Sequence, residues 1–285
     1  QSADNVHEKC YVVGGLVRDC ITGKSSDDLD FVCTDVEKIA TDLSQSNTIK
    51  GIGESGTTRY LTKIIHFPNG EKVDLVEPRK EIYTSDSIKP KVIKGDLQDD
   101  VLRRDFTINT LRLGINEDNW LQIDDPLQRG LSDLQSNLLI TPINPEQTFE
   151  DDPTRMLRTV RFASCKKMHI DPKVKQAILH KKNQIHRIPK ELIHKELMKG
   201  SSCDQYYPIM NELGLMDELF PEVTQLKGIP QNPLHHTKDA FDHTLGYVEN
   251  LPNDPLLRIV GLFHDVGKTT KTDLTNPKYS AIDHE

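Results

Sequence analysis

The sequence predicts an α+β chain whose first half mixes strands and helices and whose second half is helical. Three observations carry this prediction: apolar runs with strand spacing near the N-terminus, a hairpin turn signal at Pro68-Asn69-Gly70, and helical spacing of apolar residues from about residue 150. The predicted helices of the second half are short, because prolines separate them at Pro172, Pro189, Pro208 and Pro221.

The first candidate site is Asp28-Leu29-Asp30, which stands directly before the strand-like residues Phe31-Val32. Side chains two positions apart in a strand leave the same face, roughly 6–7 Å apart, so two carboxylates would project together. Such a pair suits Mg²⁺, which takes few protein ligands and keeps waters or phosphate oxygens. Asp74, in the strand-like segment 72–76, is a candidate third carboxylate, and an exposed strand acid is the alternative interpretation.

The segment Gly14-Gly15-Leu16-Val17-Arg18-Asp19 follows the strand-like run Tyr11-Val12-Val13 and predicts a phosphate-binding turn. Paired glycines let backbone N–H groups approach an anion, and a following helix N-terminus favours phosphate. Arg18 adds a fixed charge with two donors for phosphate oxygens. Metal-binding carboxylates beside a phosphate cradle indicate two-metal phosphoryl or nucleotidyl transfer.

A second polar cluster is Arg103-Arg104-Asp105-Phe106-Thr107-Ile108-Asn109. One arginine can reach a triphosphate while Asp105 accepts a hydrogen bond from a ribose hydroxyl. The alternative is a helix-capping acid flanked by surface arginines. The preceding segment 81–100 is polar, contains Pro90 and Gly95, and predicts a flexible loop.

A third cluster opens a predicted helix. Asp152 is the expected N-cap and Pro153 the first helical residue. Arg155, Arg158 and Arg161 then share one broad helix face. An Asp and Arg pair can read the edge of a base, and the following arginines can hold phosphates. Taken alone, an arginine stripe is more typical of a solvated face, and the two earlier clusters reverse that preference.

The distribution of charge also bears on the partners. The 285 residues carry a net charge of −8, yet residues 151–200 hold 13 Lys and Arg against five Asp and Glu. A basic segment in an acidic chain predicts a local surface for a polyanion. No run approaches the roughly 20 apolar residues of a membrane span. Five scattered cysteines without a C-x-x-C pair predict reduced thiols and a cytoplasmic protein.

Five motifs in a fixed order give the chain a family resemblance. They are Gly14-Gly15-x-x-Arg18-Asp19, Asp28-x-Asp30, residues 103–109, Asp124 with Gly130 and Asp133-Leu134, and Asp151-Asp152-x-x-Arg155-x-x-Arg158-x-x-Arg161-Phe162. In this order they resemble the bacterial-type (class II) CCA-adding tRNA nucleotidyltransferase and poly(A) polymerase family. The resemblance covers about residues 10–200 and extends more weakly to 285.

The resemblance implies a polymerase-β-like nucleotidyltransferase head over residues 1–140, a helical neck over 141–200, and a helical body with a partial HD domain over 201–285. It implies that Asp28 and Asp30 are catalytic and hold two Mg²⁺ ions. The implied nucleotide-binding residues are Gly14, Gly15, Arg18, Arg104, Asp105, Asn109, Asp152, Arg155, Arg158 and Arg161. Among these, Asp152 and Arg155 would select the incoming base, and residues 80–99 resemble the flexible loop of the family.

The implied activity is template-independent addition of the 3′-terminal CCA of tRNA from CTP and ATP, with the tRNA 3′ end as partner and no obligate protein partner. Poly(A) polymerase and enzymes that add only CC or only A share the motifs and remain alternatives. A non-catalytic RNA-binding protein is disfavoured, because binding alone does not require a metal-binding acidic pair.

The C-terminal segment resembles the HD phosphohydrolase superfamily. His243, His264 and Asp265 are candidate metal ligands, and imidazole with carboxylate suits a transition metal such as Mn²⁺ or Ni²⁺. His284 resembles a further position of HD-bearing members. A metal-dependent phosphohydrolase is therefore a more distant functional alternative, and a helical tRNA-binding body with HD-like packing is the structural one.

Overall fold

The computed structural model describes residues 10–25, 29–45, 49–54, 62–84, 87–115, 121–231 and 239–271. The chain divides into two compact units, Gln1–Asn144 and Pro145–Glu285. Among the described residues, no helix combines the length and the apolar character needed to cross a membrane.

The first unit is built on a seven-stranded sheet. Its elements are β1 (Cys10–Val13), α1 (Gly15–Ile21), β2 (Asp30–Cys33), α2 (Val36–Ser44), β3 (Gly51–Glu54), β4 (Thr62–His66), β5 (Lys72–Val76), β6 (Arg79–Thr84), β7 (Ser87–Lys94), α3 (Leu97–Leu102), a 3₁₀ turn (Thr107–Asn109), β8 (Arg112–Ile115), β9 (Leu121–Asp124), α4 (Gly130–Gln135) and β10 (Leu138–Leu139). The strand order is β3-β4-β5-β2-β1-β8-β9. Only β2 and β5 pair in parallel, and the other neighbours in this sheet are antiparallel.

The predicted hairpin at Pro68-Asn69-Gly70 is confirmed for the described residues. Strands β4 and β5 pair antiparallel from Thr62↔Val76 to His66↔Lys72. The turn places Gly70 at φ +89°, where glycine alone carries no steric penalty. Because side chains alternate along β5, Val73 and Leu75 are buried in the core with Ile65, and Asp74 is left on the opposite face.

The flexible loop predicted over residues 81–100 is wrong for the described part of that segment. Strands β6 and β7 form an antiparallel hairpin, and α3 follows. The hairpin is a separate two-stranded sheet that leaves apolar side chains such as Ile82 and Ile93 exposed, so it lacks the alternation of a strand with one buried face. The Asp96 carboxylate, in a capping box with Asp99, then starts α3.

The second unit is helical. Its elements are α5 (Pro145–Asp151), α6 (Thr154–Cys165), the short strand β11 (His169–Ile170), α7 (Pro172–Lys181), a 3₁₀ helix (Lys182–Arg187), α8 (Lys190–Gly200), α9 (Tyr206–Glu212), α10 (Leu215–Leu219), α11 (Pro221–Thr224), α12 (Ala240–Glu249), α13 (Pro255–Phe263) and α14 (Lys268–Lys271). One hydrophobic core runs from Phe149 to Leu262, so the segments before and after residue 200 share it.

The prolines act as predicted with one exception. Pro172 and Pro221 open α7 and α11, and Pro189 caps α8. Pro208 lies inside the first turn of α9, where the missing N–H group has no intrahelical partner to lose. The start of α6 is also shifted by one residue, because Pro153 and not Asp152 occupies the N-cap position.

The prediction of reduced thiols is wrong for four of the five cysteines. Disulfides join Cys10 to Cys33 and Cys165 to Cys203, and Cys20 is free. The first pair meets because β1 and β2 are antiparallel and place Cys10 directly opposite Cys33. The second pair joins the end of α6 to the loop after α8. Such pairs are invisible to spacing rules, because their sequence separations, 23 and 38 residues, follow from tertiary structure.

Candidate active site

Two carboxylates stand side by side on the sheet of the first unit. Asp30 begins β2 and is exposed, and its Cα atom is in register with Val13 of β1 and with Asp74 of β5. Register partners project from the same face, and neighbouring strands lie about 4.8 Å apart. Asp30 and Asp74 therefore present their carboxylates to the same side. Asp28, the other acid of the predicted pair, lies outside the described residues.

The paired glycines run beside this acidic site. Gly14 has φ +84° directly before α1, a conformation that favours glycine. A Cβ atom built on Gly14 would lie 3.7 Å from Oδ2 of Asp30, and one on Gly15 would lie 3.3 Å from Nη2 of Arg18. The absence of side chains at these two positions thus leaves open backbone between the acid and the arginine.

Arg18 is buried in a polar network that joins two of the sequence motifs. Its Nε and Nη2 atoms donate to the Asp19 carboxylate at 3.0 and 2.8 Å, and Nη1 donates to Oδ1 of Asn109 at 2.6 Å. The amide nitrogen of Asn109 then donates to Oδ1 of Asp105 at 2.8 Å. Four of the residues that the sequence indicated, Arg18, Asp105, Asn109 and the adjoining Gly15, are therefore brought together.

Arg104 extends this network to a buried acid. Its Nε and Nη2 atoms donate to Oδ2 of Asp100 at 3.1 and 2.7 Å, and Nη1 donates to the carbonyl oxygen of Asn109 at 3.1 Å. Arg103 donates to the other oxygen of Asp100. Burial acts to raise the pKa of Asp100, but the Arg104 and Arg103 charges and hydrogen bonds outweigh it and hold that pKa below its ordinary value.

Sequence reasoning included Asp19 in the first motif without giving it a role, and it missed the supporting acid Asp100. Asp100 precedes Arg103 and Arg104 by three and four positions at the end of α3, the spacing at which helical side chains meet. That spacing was the available signal. The helix-capping alternative for Asp105 does not describe its contacts, because its Oδ1 atom accepts from the Phe106 N–H group and from Asn109 across the 3₁₀ turn.

In the second unit, α6 presents the predicted base-reading residues. Oδ1 of Asp152 accepts from the Thr154 N–H group at 3.0 Å, and its Oδ2 atom lies 3.7 Å from Nε of Arg155. Arg155 is only 5% exposed. A solvated arginine face is therefore excluded at this position, and the Asp152 and Arg155 side chains form an ion pair.

Arg158 and Arg161 lie further along the same helix and are partly exposed. Both guanidinium groups lie over the ring of Phe162, at 5.7 and 5.0 Å from its centroid. Nε of Arg161 also donates to Oε2 of Glu196 on α8 at 2.8 Å. Glu196, which the sequence did not indicate, therefore orients the last arginine of the stripe.

The three candidate HD ligands also meet in the second unit. Ligand-type atoms of His243 on α12 and of His264 and Asp265 after α13 lie within 4.8 Å of one another. Nδ1 of His264 is 2.6 Å from the carbonyl oxygen of Gly261, which leaves Nε2 facing Asp265 at 3.3 Å. His284 lies outside the described residues.

The Asp265 and Lys268 pair is not an ordinary surface ion pair. Asp265 is 3% exposed, and Nζ of Lys268 donates to its Oδ2 atom at 2.7 Å. The same lysine donates to Oε1 of Gln231 at 3.1 Å. A salt bridge to Lys268 thus holds the buried carboxylate of Asp265.

Two family descriptions match the chain. The poly(A) polymerase head domain matches residues 10–140, and a segment described as the probable RNA and SrmB-binding site of polymerase A matches residues 167–227. The chain belongs to the CCA-adding enzyme and poly(A) polymerase family. The first match contains every site residue of the head, and the second begins two residues after the end of α6.

Relatives of this family resemble the chain over most of its length. The tRNA nucleotidyltransferase cca2 of Schizosaccharomyces pombe is 34% identical over 216 residues, which cover 67% of this chain and 44% of that protein. The multifunctional CCA protein of Nitrosospira multiformis is 29% identical over 296 residues, covering 97% of this chain and 65% of that protein. The chain therefore spans less than half of the first relative and about two thirds of the second.

A solved structure of the family shares the fold. The CCA-adding enzyme of Thermotoga maritima, complexed with tRNA, superposes with a TM-score of 0.65 at 21% identity, covering 98% of this chain and 64% of that one. The predicted fold class, a polymerase-type α+β head followed by helical segments, is confirmed. The partial HD domain and the predicted boundaries near residues 140 and 200 stay predictions.

Proposed function

We propose that this protein is a template-independent nucleotidyltransferase that adds or repairs the 3′-terminal CCA of tRNA from CTP and ATP. The register that aligns Asp30 with Asp74 beside the Gly14 turn is the observation that carries this proposal. The RNA 3′-hydroxyl oxygen bonds to the α-phosphorus of the nucleotide and loses its proton. The bond from that phosphorus to the bridging oxygen breaks, and pyrophosphate leaves.

The acidic site fits Mg²⁺. Asp30 and Asp74 offer hard carboxylate oxygens on one face of the sheet, and Asp30 is exposed, so a hydrated ion bound to a triphosphate has access. Asp28 is the proposed further ligand. Two Mg²⁺ ions, when bound, would lower the pKa of the attacking hydroxyl group and neutralise charge on the leaving pyrophosphate.

The remaining groups of the head bind and orient the nucleotide. We assign the triphosphate to the open backbone of Gly14 and Gly15 and to Arg18, whose guanidinium plane is fixed by Asp19 and Asn109. Such fixed positive charge lets the site bind phosphate oxygens without reordering a long side chain. Arg104 and Asp105 belong to the same network, and we assign them to the sugar-phosphate part of the nucleotide.

Selection of the base is assigned to Asp152 and Arg155. A carboxylate accepts from the exocyclic amino group that cytosine and adenine both carry, and a guanidinium donates to a ring nitrogen or carbonyl oxygen. Burial of Arg155 and its ion pair with Asp152 limit the motion of the arginine, so the two side chains can serve as a protein template. Arg158 and Arg161 support this pair and the nucleotide phosphates.

The test uses a tRNA transcript that lacks its terminal CCA, incubated with CTP, ATP or both, with the 3′ end of the product sequenced. We expect CC from CTP alone and CCA from both nucleotides. Asp30→Ala should abolish incorporation, and Asp42→Ala on the exposed side of α2 should not. Failure of the wild-type protein to extend the transcript would contradict the proposal.

The same assay separates the alternatives within the family. A poly(A) polymerase gives long products from ATP alone. An enzyme that adds only CC stops before the final A, and one that adds only A extends only a transcript that already ends in CC.

A second activity is supported by the cluster of His243, His264 and Asp265 in the second unit. Two imidazoles and one carboxylate suit Ni²⁺ or Mn²⁺ and metal-dependent phosphoester hydrolysis. We expect the protein to bind either metal by calorimetry, and His243→Ala should weaken that binding. Hydrolysis of 2′,3′-cyclic nucleotides to nucleoside 2′- or 3′-monophosphates with added Ni²⁺ tests the activity itself. An unchanged metal affinity in the variant would exclude the metal site.

Localisation to the cytoplasm is likewise a proposal. It is supported only by the family relationship with enzymes of bacteria, and relatives from two yeasts carry mitochondrial names. Fractionation of cells that express the tagged protein would decide between these compartments.

A further inference from the structure

The basic segment of the second unit splits into two sets that differ in their surroundings. One set is neutralised by acids on α5, α9 and α10. Its ion pairs are Lys175 with Glu212, His180 with Glu146, Lys181 with Glu150, Lys182 with Glu218, and Arg187 with Glu150. These pairs tie α7 and the following 3₁₀ helix to their neighbours, so their charges are largely cancelled within the unit.

The other set faces solvent, and it includes Lys173 and Lys190 in the first turns of α7 and α8. We call Lys167, Lys195 and Lys199 the open lysine cluster; all three are exposed. Among the described residues, no carboxylate oxygen lies within 4.0 Å, the limit for an ion pair, of any of the three ammonium nitrogens. Lys195 and Lys199 are one turn apart on α8, so they share its outer face.

Three contacts bring the members of the cluster to one place. The Arg161 and Glu196 pair joins α6 to α8 side by side. Sγ of Cys165 lies 3.8 Å from the carbonyl oxygen of Lys199, and the Cys165–Cys203 disulfide connects the ends of the two helices. Lys167, two residues after Cys165, therefore emerges next to the last turn of α8.

The position of the cluster along α6 indicates what it can meet. Ten residues separate Arg155 from Cys165, a rise of about 15 Å along a helix. Because Arg155 is assigned to the incoming base, groups this far away face the RNA upstream of the terminal nucleotide. Lysine ammonium groups act as point charges that attract phosphate without reading bases.

We propose that the open lysine cluster binds the phosphate backbone of the acceptor stem of tRNA. The inference rests on the proposed function, and it assigns the RNA contact to three of the 13 basic residues of the segment. The segment matched as RNA-binding, 167–227, contains all three lysines. The paired cations lie in the same segment but already have acid partners, so they contribute little.

The test compares two variants with equal loss of charge. Lys167, Lys195 and Lys199 are all changed to Gln in the first; Lys175, Lys181 and Lys182 are all changed to Gln in the matched control. We expect the first to bind a CCA-less tRNA transcript about tenfold or more weakly at low salt, with a log Kd against log salt slope flatter by about 2 to 3. The control should keep the wild-type affinity and slope.

Kinetics give an independent measure. In the cluster variant the KM for tRNA should rise, while kcat and the KM for CTP stay close to wild type. A cation near a helix C-terminus stabilises the helix, so its removal can lower the stability of the protein by itself. The thermal midpoints of both variants are therefore measured as well. A cluster variant with a lowered midpoint and unchanged tRNA affinity would overturn the proposal, and so would equal losses in both variants.

The failure of this inference can be told from failure of the proposed function. If the wild-type protein binds the transcript but adds no nucleotide, the nucleotidyltransferase assignment fails and the salt slope still tests the cluster. If the wild-type protein adds CCA and the cluster variant does so with an unchanged KM for tRNA, only the cluster assignment fails. A cluster variant that lost its affinity for a protein partner but kept its affinity for the transcript would also overturn the cluster assignment.

Discussion

Arg18 and Asn109, which lie 91 positions apart in the chain, are joined by a hydrogen bond of 2.6 Å from Nη1 to Oδ1. This bond connects the glycine turn before α1 with the 3₁₀ turn before β8. Because Asn109 also donates to Asp105, one amide side chain contacts both proposed nucleotide-binding groups.

We therefore expect Asn109→Ala to loosen Arg18 and to weaken nucleotide binding. A hydrogen bond to a charged group contributes about 1.5–3 kcal/mol, so the KM for CTP and for ATP should rise about tenfold, with a smaller change in kcat. Steady-state kinetics check this result. The control is Asn69→Ala, which removes an exposed bond to Glu71 in the β4–β5 turn. Equal effects of the two variants would contradict the positioning role of Asn109.

Asp74 should act as a metal ligand because it stands in register with Asp30. We expect Asp74→Asn to raise the Mg²⁺ concentration needed for half-maximal activity and to lower kcat by about 100-fold, since one of few carboxylates is lost. A magnesium titration of the variant measures both effects. Asp42→Asn is the control. A titration curve of Asp74→Asn that matches the wild type would contradict the metal-binding role and support the alternative that Asp74 is an exposed strand acid.

Asp100 should contribute stability that depends on pH. Its pKa in the folded chain is lowered from 3.8, so the unfolded chain binds the proton more tightly. The contribution is therefore present above the unfolded pKa and is lost as pH falls through the folded value. Removing the charge leaves Arg103 and Arg104 without their shared partner, and Asp100→Asn should cost about 3 kcal/mol at pH 7.

Urea denaturation of wild type and Asp100→Asn from pH 3 to pH 7 checks this prediction. The difference in the free energy of unfolding should shrink as the pH falls below about 4. Asp99→Asn serves for comparison, because its side chain caps α3 from a more exposed position. A difference that stays constant over the whole range would show that lost packing, and not charge, is the cause.

The Cys165–Cys203 disulfide should stabilise the second unit. It closes a loop of 38 residues, and cross-links of this size contribute about 2–4 kcal/mol by restricting the unfolded chain. Reductant should therefore lower the thermal midpoint of the wild-type protein. The variant with serine at both positions should lose part of that response, leaving only the part that comes from Cys10–Cys33. An identical response in wild type and variant would exclude the bridge in solution.

Several parts of the site follow from local sequence rules. The Pro68-Asn69-Gly70 hairpin, the glycine turn at Gly14 and the helix that follows Asp152 depend on backbone preferences of a few adjacent residues, so their chemistry is visible in the sequence. The residues of the Arg103–Asn109 cluster could be indicated in the same way. The partners they find could not, because Arg104 and Asp105 turn inward to Asp100 and Asn109.

The hairpin of β6 and β7 was hidden for a different physical reason. A strand with one buried face shows alternation, whereas this hairpin leaves Ile82 and Ile93 at the surface. Glu196 was hidden because nothing local distinguishes an acid that meets an arginine 35 positions away.

The sequence by itself determined the kinds of chemistry that this protein carries: paired acids, a glycine turn, arginines at helical spacing and histidines beside an aspartate. These depend on residue type and short spacing, which the chain states directly. Only the tertiary structure decided which of them meet, because contacts such as Asp30 with Asp74, Arg18 with Asn109 and Cys165 with Cys203 arise from strand register and helix packing between distant segments. Packing likewise separated the lysines that are neutralised by neighbouring helices from those that remain open to solvent.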